Sequence, residues 1–163
     1  MTTWFTADEH YGHTNIIRFC NRPFTDVKEM NDALIQNHNE VVQDKDLVYH
    51  LGDFALLTYR DAMEIRTQLC GRHIFIRGSH DRWSNDVLPY LWEGKIEDQY
   101  IVLCHYAMRV WPRSHYGSWQ LYGHSHGKLN PVGRQYDVGV DNNNFYPVSF
   151  SQIKAIMETK TCA

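Results

Sequence analysis

The stretch "HIFIRGSHD", His73 to Asp81, decides how the rest of the chain is read. Its first half is an apolar run of strand length, and its second half sets Gly, Ser, His and Asp directly behind that run. Neighbouring side chains diverge along an extended chain, so Ser79, His80 and Asp81 cannot by themselves form a nucleophilic relay. A metal site and a polar turn remain, and the choice rests on whether other strands end in the same way.

Working outward, "TWFTA" reads as a first strand and "DLVYHL" as a short buried one. Between them, Asp26 to Val42 carries Val27, Met30, Leu34 and Val41 on one helical face, and Asp26 with Glu29 has the spacing of a capping box. Thr58 to Cys70 reads as a second helix stopped by Gly71, which gives the order β-α-β-α-β up to "HIFIR". Beyond it, "YIVLCHY", "SWQLYGH" and "QYDVGV" are strand-like runs, and a last helix from Phe150 to Met157 has Ser149 as its N-cap. An α/β first half and a β-rich second half predict a layered sheet structure with helices outside.

The 163 residues, 43% hydrophobic, suffice for one core, so residues 1–163 are expected to form a single soluble domain. A net charge of −3 and a pI near 6.3 argue against a broad nucleic-acid surface but leave a small phosphorylated substrate open. There is no apolar stretch of membrane-spanning length and no basic leader, so a cytoplasmic location is expected. Cys20, Cys70, Cys104 and Cys162 show no CxxC spacing, which suits reduced thiols.

The polar residues then fall into one pattern. Asp8 and His10 follow the first strand, Asp53 follows "LVYHLG", His80 and Asp81 follow "HIFIRGS", His105 ends "YIVLC", and His124 and His126 end "WQLYG". In α/β sheets the carboxyl ends of strands line the ligand crevice. Carboxylates mixed with imidazoles suit manganese, iron, cobalt, nickel or zinc better than calcium or magnesium. Singly, each segment has a plain reading: "DEH" a solvated turn, "GD" a bend, His105 a packed histidine. "GHSH" is harder to dismiss, because His124 and His126 share one side of an extended segment and a turn has no need of both.

The ordered segments "DEH", "GD", "GSHD", "CH" and "GHSH" resemble the signature of the calcineurin-like metallophosphoesterases. The openings and endings of short phage- and bacteria-associated members look like "TADEHYGHTNIIRFCNRPF" and "VGVDNNNFYPVSFSQI". The resemblance implies a four-layered αββα sandwich and two divalent ions, manganese first among them. Asp8, His10 and His126 would hold one ion, His105 and His124 the other, and Asp53 would bridge them. The ions would polarise a phosphoryl group and lower the pKa of a bridging water. His80 would stabilise the transition state or protonate the leaving alkoxide, with Asp81 orienting it. Ser79 stands where the family has an Asn that ligates the second metal, which points to a weakened site. His13, Asn15, Arg18 and Arg22, with His115 from the other side, are candidates to meet a substrate arm. Trp111, Trp119, Tyr11 and Tyr116 are either core or stacking platforms for a base. The chain is too short for a cap that encloses a small monoester, so a small phosphodiester, with nucleotide-derived esters among the candidates, is the expected substrate. A phosphomonoesterase or nucleotide pyrophosphatase is the alternative enzyme, and a non-catalytic interaction scaffold the alternative of another class.

Overall fold

The computed structural model describes residues 1–85 and 87–161, so the thiol expected at Cys162 lies outside it. Two four-stranded mixed sheets face each other. In the first, β1 (Thr3–Thr6), β2 (Leu47–Leu51) and β3 (Arg72–Ile76) run parallel in the order β3-β2-β1, and β8 (Val148–Ser149) pairs antiparallel with β1. In the second, β4 (Leu91–Ile96) pairs antiparallel with β5 (Gln99–Cys104), and β6 (Trp119–Tyr122) and β7 (Gln135–Asp137) follow in parallel. This is the α/β sandwich expected from the sequence.

The strand alternation explains the layering. Phe5, Tyr49, Leu51 and Ile76 leave the first sheet on one face and meet Ile101, Leu103, Trp119 and Leu121 from the second in one buried cluster. Each such side chain contributes about 1.5–3 kcal/mol by leaving water. The other face of the first sheet is covered by α1 (Thr14–Phe19), α2 (Val27–Val41) and α3 (Tyr59–Thr67), through a second cluster around Met30, Leu34, Phe54 and Ala62. α4 (Phe150–Glu158) turns Phe150, Ile153 and Met157 into the cluster between the sheets. Its start is a complete capping box between Ser149 and Gln152.

Several details differ from the sequence reading. At α2 the box is half made: Asp26 caps the Glu29 N–H at 2.8 Å, but Glu29 bonds Thr25 instead of returning to Asp26. α3 ends at Thr67, before Cys70, because Asn39 of α2 takes the Gln68 carbonyl and the Cys70 N–H at 2.7 and 2.8 Å. Neither α1, β4 nor β8 was anticipated. β4 hides because its inward positions are Trp92, Gly94 and Ile96, and a Cβ on Gly94 would come within 3.0 Å of the Trp92 ring. Among the described residues, no helix is long and apolar enough to cross a membrane.

Candidate metal centre

The carboxyl ends of β1, β2, β3, β5 and β6 meet at one end of the sandwich. Two short links join the sheets there: Ala7 bridges Gly139, and the His124 N–H donates to Asp8 Oδ1 at 3.0 Å. Asp8, His10, Asp53, His124 and His126 all hold left-handed backbone, with φ between 48° and 65°. Such a conformation costs a non-glycine residue roughly 1 kcal/mol or more, and it is tolerated where function requires it. Glycines make the room: a Cβ on Gly78 would lie 2.2 Å from the Asp53 nitrogen, and one on Gly139 2.6 Å from Asp8 Oδ2.

This backbone brings the side chains into two triads, Asp8–His10–His126 and Asp53–His105–His124, each with donor atoms within 4.8 Å of one another. Asp53 also faces both: its Oδ2 lies 3.6 Å from His10 Nε2 and 3.3 Å from His105 Nε2. Asp8 Oδ2, His10 Nε2 and His105 Nε2 are buried without a hydrogen-bond partner. Buried polar atoms are almost always paired, and three unpaired ones converging on one place fit a cation between them.

The second ring nitrogens are held from behind. His105 Nδ1 donates to the Leu51 carbonyl at 2.8 Å, and His126 Nδ1 meets Asp141 Oδ2 at 2.7 Å, which leaves each Nε2 facing the site. His10 Nδ1 lies 3.2 Å from His13 Nδ1. Burial lowers His10 far below the usual imidazole range, so the ring is neutral, as a ligand must be. At Asp53 burial pushes the carboxyl up, but the His105 ring and the His80 N–H outweigh it and hold the group well below the carboxylate range. At Asp8 burial wins, raising the carboxyl to about 7 against the pull of His105 and His126.

Ser79 Oγ donates to the Asp53 carboxylate at 3.1 Å and belongs to neither triad. The His80 ring is half-buried beside His10 and His13, with centroids 5.2 and 5.4 Å away. Asp81 does not orient it. The Asp81 carboxylate accepts the N–H groups of Asp53, Phe54 and Gly78 and the Trp83 indole N–H, each at 2.8 Å, and so shapes the two loops that carry Asp53 and His80.

Among the expected substrate contacts, His13 is placed against the site, whereas Arg22 is not free to meet a substrate. Its buried guanidinium pairs with Asp141 at 2.7 and 2.8 Å and donates to the Asp8 and Glu9 carbonyls at 2.6 and 3.0 Å. Asn15 and Arg18 are exposed on α1, and His115 lies exposed against Tyr116 in a 3-10 turn, Ser114–Tyr116. Tyr11, Trp111 and Trp119 are core residues, and Tyr116 is exposed.

The sequence reading missed Asp141, which follows β7 as the other acids follow their strands. Cys20, His126 and Asp141 form a third group of close donors. With the Arg22 guanidinium already on Asp141, that group braces His126 and does not invite a further cation.

The chain is 35% identical over 164 residues to the uncharacterized protein MJ1445 of Methanocaldococcus jannaschii, a match covering 95% of this chain and 90% of the relative. The chain belongs to the same family as MJ1445. No protein-family model matches it. Among solved structures, the protein of unknown function AQ665 from Aquifex aeolicus shares the family's fold, with a TM-score of 0.75 and 21% identity over 95% of this chain and 98% of that one. A predicted phosphoesterase from Streptococcus pneumoniae superposes less closely, with a TM-score of 0.48 and 15% identity over 85% of this chain and 70% of the other.

Proposed function

We propose that the protein is a metal-dependent phosphoesterase acting on small phosphodiesters, with two divalent ions, manganese foremost, held by Asp8, His10, Asp53, His105, His124 and His126. The observation that carries this reading is Asp53 Oδ2, set 3.6 and 3.3 Å from the facing nitrogens of two separate triads. Ions bound there would polarise the phosphoryl oxygens and make water nucleophilic near neutral pH. The chain's own groups supply the rest. Water would add to phosphorus as the ester P–O bond breaks, and the His80 imidazole, beside His10 and His13, would protonate the departing alkoxide. Asp81 acts at a distance by fixing the loops, and Ser79 touches the bridging carboxylate where a longer side chain would reach further. The scaffold alternative is not favoured, because all six ligands are present and converge.

The test is hydrolysis of bis-p-nitrophenyl phosphate with added manganese, beside the matching monoester. The diester should be cleaved faster, and a chelator should abolish the activity. Ser79→Asn should raise turnover about tenfold or more, the scale on which ligand environments act. Activity that ignores the chelator, or none with any divalent ion in either form, would sink the reading.

A further inference from the structure

The rings around the centre form a ladder with open ends. On the side of the first triad, His10 contacts His13 (centroids 5.1 Å apart), and His13 contacts Phe19 edge-on at 6.5 Å. On the side of the second, His105 and His124 lie 4.9 and 4.7 Å from Tyr106. Both end rings face solvent, Phe19 at 57% exposure and Tyr106 at 42%. Tyr59, Tyr90 and Tyr116 are exposed too, but among the described residues Phe19 and Tyr106 are the exposed rings that touch the histidines of the centre.

Both rings are also held in place. Phe19 closes α1 with the Arg18 guanidinium 5.2 Å from its centroid, and Tyr106 comes two residues after the end of β5, its ring against His105 and His124 and its carbonyl accepting from Gln120 at 3.3 Å. A preorganised ring loses little freedom when a flat group stacks on it. Asp53 sits between the two triads, so a phosphoryl group bound there with its ester arms along the ladder would bring one arm toward Phe19 and the other toward Tyr106. The net charge of −3 argues against a long polymer as the ligand, and Arg18 puts one cation beside Phe19.

We infer that the centre takes a phosphodiester joining two planar groups, of dinucleotide size, with one base on Phe19 and the other on Tyr106. This rests on the phosphoesterase reading but is tested apart from it. Stacking of a base on an aromatic side chain tolerates any base, so the clamp selects for flat arms and not for a sequence.

The experiment compares, in the manganese-loaded protein, calorimetric binding of a dinucleoside phosphorothioate with that of the same compound lacking both bases. The dinucleotide should bind at least about tenfold tighter, the scale of base stacking on one ring. Phe19→Leu and Tyr106→Leu should each reduce that preference by about as much, Tyr106→Phe should keep it, and in turnover the loss should fall on KM more than kcat. Equal binding of the two compounds, binding of neither, or a preference indifferent to both leucine variants overturns the clamp. Base-dependent binding without hydrolysis of any diester would keep the clamp and remove the enzyme, and hydrolysis without base preference would do the reverse.

Discussion

Histidine occurs in two buried clusters here, and they are built on opposite terms. In the first, His10 and His105 each present a buried Nε2 with no hydrogen-bond partner. In the second, on the outer side of β2 and β3, the ring nitrogens are matched. His50 Nδ1 pairs with Glu9 at 2.5 Å and its Nε2 with His73 Nδ1 at 2.9 Å, while His38 Nε2 meets the Cys70 carbonyl at 2.9 Å. Burial lowers His38 to about 4 and His50 and His73 to about 3, so all three stay neutral. The second cluster also stacks on apolar rings, His50 on Phe75 at 4.5 Å. A satisfied histidine is a core residue, and an unsatisfied one is waiting for a ligand.

The largest expected effect breaks the first cluster at its centre. Asp53→Asn should lose metal from both triads, and activity should fall by well over about 100-fold, since it removes a direct ligand and not an outer partner. His126→Ala should empty the first triad alone. Elemental analysis of the purified variants distinguishes these outcomes, and wild-type metal content in Asp53→Asn would remove it from the bridge.

A smaller effect should follow at the support behind the cluster. Asp141→Asn weakens the bond that aims His126 and leaves Arg22 short of a partner, so affinity at the first triad should drop about 10–100-fold. The second triad should be little changed. Manganese titration read out by both occupancy and turnover checks the asymmetry; equal loss at both sites would show that Asp141 supports the whole end of the fold.

The smallest effect belongs to the second cluster and appears in stability. An unfolded histidine takes up a proton near pH 6.5, whereas these three resist until about 3–4, so below pH 6.5 the unfolded chain binds more protons. Their contribution is complete above pH 6.5 and declines on acidification. Glu9 and Asp8, raised by burial to about 8 and about 7, have the opposite slope below those values and offset part of that decline, and the nearby Arg66 adds to the lowering at His50 and His73. The metal-free protein should therefore melt lower at pH 5 than at 6.5, by on the order of 5 °C, and His73→Leu should flatten the trend. A melting temperature unchanged over this range would show that the second cluster is charged in the fold.

Much of this was legible in the sequence because strand ends announce themselves locally. Asp8, Asp53, His105 and His124 each follow an apolar run, and register then carries them to one end of the sandwich. What stayed hidden depends on partners far along the chain. Arg22 looked like a free cation until Asp141, 119 residues away, was found beside it. Asp81 looked like a companion for His80, but five N–H donors had already claimed its carboxylate. His50 and His73 gave no signal that separates a core histidine from a ligand, since that depends on the Glu9 side chain turning away from the site.

Each triad draws on both sheets. Asp8 and His10 follow β1 of the first while His126 follows β6 of the second, and Asp53 likewise meets His105 and His124 across the sandwich. An ion in either triad therefore acts as a rivet through two plates that are otherwise joined by apolar packing and a few backbone bridges. Occupancy and mechanical integrity become one variable, since any ligand that binds only the folded state stabilises it by mass action. If the proposed function holds, a cell short of the metal would lose the activity and loosen the molecule at the same stroke.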